Sequence, residues 1–475
     1  MLNQAIKIKY IASKWLKNPR FWMISISALF LFISSIFRHE KFDSGAWDLG
    51  IFDQAVYLIS QGQSPISSFL NFHILADHAA WILYPLALLY KIYPSVYWLF
   101  AVQSTALAVG ALLIWYLARQ AGLKNSHGVA MVVVYLLYPL VYNANLFDFH
   151  PDTIAVPALL WAVLAARLGK IGWFCFSIIV VLGCKAVFSL TIAAMGVWLL
   201  CFEKKRLCGA IAIFAGIAWF AIANKFIIPV FGGEAALLER HFYRYSYLGN
   251  SFPEMAKILL MQPGIILEKI FSLTNLGYLL LLVVPVIWGL APQGLTPLMS
   301  AIPCLLLNIL ADHPSQKDLI RHYSLPVLPF LMLAVIANLA AGRVWLQQKR
   351  AIILWSLVGF LALAKIPFIS SKQMWYSDTL QATKEAIALV QTSGSVLTTY
   401  NIAPHLAHRP LIKLTDATAP PVDINVFDYV LLNLRHHFST QEFANTLANK
   451  LKNNQQFNLK YHRDDIYLFE KNKQV

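Results

Sequence analysis

Lys41-Phe-Asp-Ser-Gly-Ala-Trp-Asp-Leu-Gly-Ile-Phe-Asp-Gln54 follows directly on the first long apolar run and carries three carboxylates, Asp43, Asp48 and Asp53. Acids are scarce elsewhere, for the whole chain holds 23 Asp and Glu against 38 Lys and Arg. Three of them where a helix would leave a membrane need a reason. The membrane itself follows from composition: of 475 residues 58% are hydrophobic and 13% charged, with a mean hydropathy of +0.59, whereas soluble domains carry about 25% charged residues. The fold class expected is therefore an α-helical polytopic membrane protein. A net charge of +15 would suit nucleic acid in a soluble protein. In a membrane protein, basic residues at helix ends orient the spans, so no nucleic-acid partner is expected. The cysteines Cys175, Cys184, Cys201, Cys208 and Cys304 lie in or beside apolar runs without C-x-x-C pairing and are read as packing residues.

Apolar windows of about 20 residues, shorter where neighbours shield the ends, predict about 11 transmembrane helices: 21–37, 95–118, 128–145, 153–168, two short helices dividing 171–202 at Gly183-Cys-Lys185, then 207–231, 276–291, 295–311, 323–341 and 351–368. The cations Lys7, Lys9, Lys14, Lys17 and Arg20 precede the first run, but no small-residue cleavage site follows Phe37, so it is read as a retained span of a bacterial plasma-membrane protein. With a cytoplasmic N-terminus the inner loops collect Arg119, Lys124, Arg167, Lys170, Lys204, Lys205, Arg206, Arg343, Lys349 and Arg350 against the single acid Glu203, as the positive-inside rule requires. The outer face then receives the Asp43–Asp53 passage, Asp77-His78, Asp148-Phe-His150-Pro-Asp152, Lys185, Glu234 to Arg244, Asp312-His313 and Arg321-His322.

Within the first outer loop Leu49, Phe52, Val56 and Ile59 repeat at helical spacing and predict an amphipathic helix along the membrane surface, with Asp48 at its start. Residues 79–93 predict a second short apolar helix, interfacial or re-entrant. After Phe368 the pattern changes to a helix at 377–393, strands at 395–399 and 427–432, a helix at 440–451 and strands at 456–461 and 465–470. The organisation expected is a transmembrane domain over 1–368 and a small outward-facing α/β domain over 369–475. That domain has no glycine-rich nucleotide motif.

Trp47-Asp-Leu-Gly-Ile-Phe-Asp-Gln54, Asp77-His78 followed by Tyr84-Pro85-Leu86, Phe149-His150-Pro151, Arg321-His-Tyr-Ser-Leu-Pro326 and Pro404-His-Leu-Ala-His-Arg409 together resemble the bacterial membrane-protein family known as domain of unknown function 2079. The resemblance spans nearly the whole chain. That family is in turn similar to the GT-C glycosyltransferases, which take sugars from polyprenyl-phosphate carriers on the outer face and keep an essential acid in the first outer loop. The resemblance implies a polyprenyl-phosphate-linked sugar donor and a lipid, glycan or protein acceptor. One departure stands out: Lys185-Ala186-Val187 occupies the place of an expected Lys-Glu-Asp, which keeps open a silent protein.

Sugar transfer from a lipid phosphate needs a base for the acceptor hydroxyl and positive charge for the departing phosphate. Asp48 is the first choice of base and Asp43 the second. Asp53 lies about 140° round the helix from Asp48. The plain alternative is that Asp48 caps the helix, a role worth about 0.5–2 kcal/mol. His78, His150 and His322 could orient the base or contact phosphate, against an ordinary hydrogen-bonded role, and none has i, i+4 ligand spacing with another histidine. No cofactor or metal ligand set is expected, although Asp148, His150 and Asp152 with Asp48 offer oxygen donors to a divalent cation. For the phosphate, Arg321 comes first, then Lys185, then Arg240 or Arg244, each weighed against snorkelling to headgroups. The passage His241-Phe-Tyr-Arg-Tyr-Ser-Tyr247 suits sugar stacking or an interfacial aromatic belt equally. A transporter or flippase of a lipid-linked or acidic solute is the competing function. Lys185 interrupting an apolar tract speaks for it, and the absence of a repeat speaks against it.

Overall fold

The structure, a computed structural model, describes residues 19–232, 242–365, 379–415, 422–435 and 441–472. Arg240 lies outside the described residues, as does the start of the helix expected at 377–393. Among the described residues four helices are long and apolar enough to cross a membrane: Pro19–Glu40, Tyr97–Gln120, Arg206–Gly232 and His322–Ala340. Two bent pairs raise that number to six, and shorter apolar helices fill the space between. Length and composition alone thus account for four to six crossings, where the sequence reading expects eleven.

The long elements in chain order are α1 (Pro19–Glu40), α2 (Ile51–Ser60), α3 (Tyr97–Gln120), α4 (Asn125–Leu136), α5 (Pro139–Leu146), α6 (Asp152–Arg167), α7 (Ile171–Cys184), α8 (Phe188–Cys201) and α9 (Arg206–Ile222). The run expected at 128–145 is broken into α4 and α5, which meet at 40°. Its cause is Pro139, whose ring disfavours helical backbone at the preceding residue; Tyr138 sits extended at φ −69°, ψ 121°. The tract 171–202 divides where the sequence places the break, with Lys185 extended between α7 and α8. Helices α8 and α9 then run antiparallel in direct backbone contact, because Gly196 lies against the backbone of Gly209, and Gly216 against Ser189 and Ala193. Small residues that admit such close approach are how helices associate where lipid removes the hydrophobic drive.

Buried polar side chains tie the bundle together. Asn145 of α5 donates to the Leu31 carbonyl of α1 at 2.8 Å, and its own carbonyl accepts from Gln103 of α3 at 2.7 Å. Asn143 donates to the carbonyls of Leu319 at 2.8 Å and Leu363 at 3.0 Å. These bonds fix the end of α5, and so the loop that follows it.

The C-terminal region forms a five-stranded sheet of β3 (Val396–Thr398), β4 (Ile412–Leu414), β5 (Tyr429–Asn433), β6 (Phe457–Arg463) and β7 (Ile466–Lys471); β1 (Ile66–Ser67) and β2 (Phe72–His73) make a small separate pair. The order is β4-β3-β5-β7-β6, parallel across β4-β3-β5 and antiparallel across β5-β7-β6. Strand side chains alternate between faces, so Val430 and Leu432 pack beneath the helix Gln441–Lys452 while Tyr429 and Leu431 face the other way. That second face shares one apolar core with Ala382 and Ala386 of the helix Leu380–Ala388 and with Leu49, Phe52, Val56 and Phe100. Helix α2 is accordingly buried on almost every side, Asp53 and Gln54 included. The surface-lying helix expected there is an internal one, because the face that looked polar in sequence is covered by the sheet region.

Candidate functional site

Asp48 sits in a π-helical turn, Ala46–Gly50, that leads into α2. Gly50 donates to the carbonyl of Gly45 at 3.2 Å to close the wide turn. Such turns recur at functional sites because the extra residue re-aims one side chain. Here the Asp48 carboxylate is turned to His150, 3.3 Å away at Nε2. It does not cap the helix.

His150 is held from several sides. Its backbone N–H donates to Gln103 at 3.2 Å, Nδ1 lies 3.4 Å from the carbonyl of Asp148, and the ring stacks on His322 with centroids 3.7 Å apart. Both ring nitrogens therefore face oxygen acceptors, and a neutral imidazole can donate to only one of them.

Asp148 flanks this pair in a left-handed conformation, φ 100°, that costs a non-glycine residue about 1–3 kcal/mol. The strain is offset by an ion pair with Arg38 and by the Gly45 N–H, which donates to Asp148 at 2.9 Å. Burial pushes the Asp148 carboxyl up to about 6 although Arg38 works against the shift, and the nearby Asp48 charge adds to it. Arg38 also holds Asp43 at 3.2 Å. The second-choice base is thus already committed to a cation.

A cavity of about 180 Å³ has Tyr323 in its wall, whose ring packs on His322 with centroids 4.2 Å apart, while Asp48, Asp148 and His150 do not line it. Asp77, His78, Asp152, Lys185 and Arg244 line its polar part; Val187, Phe188, Phe220, Ile228 and Met255 are among its apolar walls. Asn224 on its wall belongs to a second π-helical turn, Ala223–Ile227, at the end of α9. His322 lies between the Asp48 turn and the cavity, stacked on His150 on one side and packed against Tyr323 of the cavity wall on the other.

The candidate cations differ in how far they are already neutralised. Lys185 pairs with Asp152 at 2.8 Å, both nearly buried. Arg321 pairs with Asp318 and lies over the Phe147 ring at 5.6 Å, so it stands beside the His150 stack rather than in the cavity wall. Arg244 sits 5.3 Å from both the Tyr243 and the Tyr323 rings, and among the described residues no carboxylate lies within ion-pairing distance of it. His78 lies 3.5 Å from Asp77, and its carbonyl accepts from Ala186 N at 2.8 Å, which stitches the helix break to the first loop.

The oxygen donors proposed for a divalent cation point to different partners, Asp148 to Arg38, Asp152 to Lys185 and Asp48 to His150. Among the described residues no group of three or more His, Cys, Asp or Glu converges. Sequence reasoning missed Arg38, Gln103 and Asp318. Arg38 had a legible signal, a cation directly before the acid-rich passage; the other two had none.

Two of the solved structures that this chain matches show the likeness of fold. ArnT from Cupriavidus metallidurans bound to undecaprenyl phosphate is 14% identical, with a TM-score of 0.54 over 95% of this chain and 98% of its own. The same protein in the apo state is 12% identical, with a TM-score of 0.54 over 97% and 98%. At such identity the likeness is one of fold, the GT-C glycosyltransferase fold with a small sheet region at its C-terminus. A search of curated proteins finds no match. The family model described as "Predicted membrane protein (DUF2079)" matches residues 38–468, and the chain belongs to that family.

Proposed function

We propose that the protein is a membrane glycosyltransferase that moves a sugar from a polyprenyl-phosphate donor to a lipid, glycan or protein acceptor at the outer face of a bacterial plasma membrane, with the N-terminus cytoplasmic and the sheet region outside. The observation that carries this reading is the Asp48–His150–His322 row, whose His322 end packs on Tyr323 in the wall of a cavity lined by both charged and apolar side chains. An isoprenoid phosphate is amphipathic in the same way. The ArnT neighbour bound to undecaprenyl phosphate supports the match of fold to ligand.

In the proposed reaction the acceptor hydroxyl attacks the anomeric carbon while the bond from that carbon to the phosphate oxygen breaks. Asp48 takes the hydroxyl proton, and His150 stabilises the protonated carboxyl by accepting a share of that proton. The leaving polyprenyl phosphate departs with its electron pair and meets Arg244, with Lys185 behind it. Arg244 replaces Arg321 as first candidate because it lines the cavity, whereas Arg321 lies outside its wall and pairs with Asp318.

The test is transfer of label from a panel of polyprenyl-phosphate sugars to lipid, glycan and protein fractions, with wild type compared to Asp48→Asn. Transfer lost in the variant at equal protein level supports the reading. Equal transfer in both discards Asp48 as base. The broken α7–α8 span with Lys185 at the break favours one other reading, transport of a lipid-linked solute; movement of the donor across sealed vesicles without transfer would select it.

A further inference from the structure

Pro404-His-Leu-Ala-His-Arg409 has no part in the chemistry above, yet its side chains reach both flanks of the Asp48 turn. We infer that this motif is a positioning clamp through which the C-terminal sheet region holds the turn that carries Asp48. Upstream, the His405 ring stacks on His39 with centroids 3.9 Å apart and packs on Phe42 at 4.2 Å. Beside it Asn401 donates to the Phe42 carbonyl at 2.8 Å, and the Tyr400 ring lies so close to Gly45 that no Cβ would fit there. Downstream, His408 Nε2 lies 3.0 Å from Asp53, its ring parallel to Tyr57 at 4.7 Å. Gln54 donates to the Arg409 carbonyl at 3.0 Å. The motif is itself stiff, because the buried Arg409 guanidinium donates to the Leu406 and Gly394 carbonyls, each at 2.6 Å. These partners of His405, His408 and Arg409 lie on either side of Asp48, so each acts through the backbone there, while the Tyr400 hydroxyl is close enough to feel the Asp48 charge itself.

The two histidines respond to pH in opposite senses. Burial, then the neighbouring His39 ring, holds His405 well below the ordinary histidine value, with Glu40 opposing and Lys384 adding to the effect. It grips as a neutral ring above about pH 6.5 and lets go as pH falls. For His408 burial works against the charge, but Asp53 outweighs it and Arg409 opposes only in part, so its value is raised; Tyr90 and Tyr57 are the other groups that face it. This grip is complete below about pH 6.5 and fades as pH rises through the docked value. The clamp therefore closes best near neutrality.

The catalytic consequence rests on Asp48 being the base, whereas the clamp does not. Hydrogen exchange of residues 42–56 in the full-length protein in lipid nanodiscs, from pH 5.5 to 9 and corrected for intrinsic rates, reads the clamp without any substrate. Wild-type protection should peak near neutrality and fall on both sides, by up to about tenfold per pH unit. His408→Gln keeps an Nε2 donor toward Asp53 but cannot titrate, so it should keep the protection and lose the alkaline decline. His405→Phe should keep the stack and lose the acid decline, and His408→Leu should lower protection at and below neutrality while leaving the alkaline end near wild type. Wild-type exchange in His408→Leu, or an alkaline decline that persists in His408→Gln, overturns the clamp. Where transfer is measurable, His408→Leu should lower kcat about tenfold with KM little changed, and glutamine should restore it; a change in KM alone argues against positioning.

Discussion

Asp48 and Asp53 stand one and a half turns apart at the start of the same helical segment, and their surroundings are opposite. The Asp53 side chain is 2% exposed, and one of its oxygens receives both the Tyr90 hydroxyl at 2.6 Å and His408 at 3.0 Å. The Asp48 side chain is 25% exposed, and its ion-pairing partner among the described residues is His150. A carboxylate whose oxygens are taken up by donors from two other elements is a structural joint. One that keeps lone pairs free on an open side, backed by an imidazole, is placed to take a proton. Under the proposed function, the difference separates the acid that would take the proton from the acid that would hold its turn still.

The comparison breaks most readily at Asp48. Asp48→Asn should lower the transfer rate by about 10²–10⁴ and leave stability within about 0.5 kcal/mol, since the side chain is partly open; thermal melting beside the transfer assay checks both. If Asp53→Asn lost more activity than Asp48→Asn, the two roles would have to be exchanged. Next in size comes Lys185→Met, which leaves the nearly buried Asp152 carboxylate without its cation. A buried ion pair broken on one side costs about 3–5 kcal/mol. Lys185→Met combined with Asp152→Leu should regain most of that in the same melting experiment. Asp53→Asn should cost about 1.5–3 kcal/mol, read as faster proteolysis of the sheet region after residue 379. Melting unchanged in Asp53→Asn would mean that the apolar core alone docks that region.

Much of the architecture was legible because apolar runs announce helices, and Lys185 inside such a run announced a break. Residues facing the site were legible by type, since Asp48, His150 and His322 fall in short polar motifs between apolar segments. Their mutual arrangement was not, because the Arg38–Asp148 pair and the Asp48–His150 contact each join segments about 100 residues apart in sequence. A π-helical turn leaves no periodicity of its own, so the turn that aims Asp48 was invisible. The face of α2 that carries Asp53 and Gln54 misled for a related reason: a polar stripe on an amphipathic helix looks the same whether water, headgroups or a neighbouring sheet covers it. Strand β4, three residues long, offered no alternation to detect.

The smallest effect concerns Asp148, which lies between the two kinds of acid: buried like Asp53, yet close enough to Asp48 to feel its charge. With its folded value raised from 3.8 to about 6, Asp148 is harder to ionise in the folded protein than in the unfolded chain. Its contribution to stability is complete below about pH 3.8 and is lost as pH rises through about 6. Between pH 7 and pH 5 the wild type should therefore gain on the order of 1 kcal/mol over Asp148→Asn, whose amide does not titrate. Melting of both proteins across that range isolates the term, because other titrating groups are common to the two. A wild type that tracks the asparagine variant throughout would mean that Arg38 keeps Asp148 ionised and that burial is not the larger influence. Asp148 would then belong with Asp53, as a second structural joint, and Asp48 would work beside a permanent negative charge.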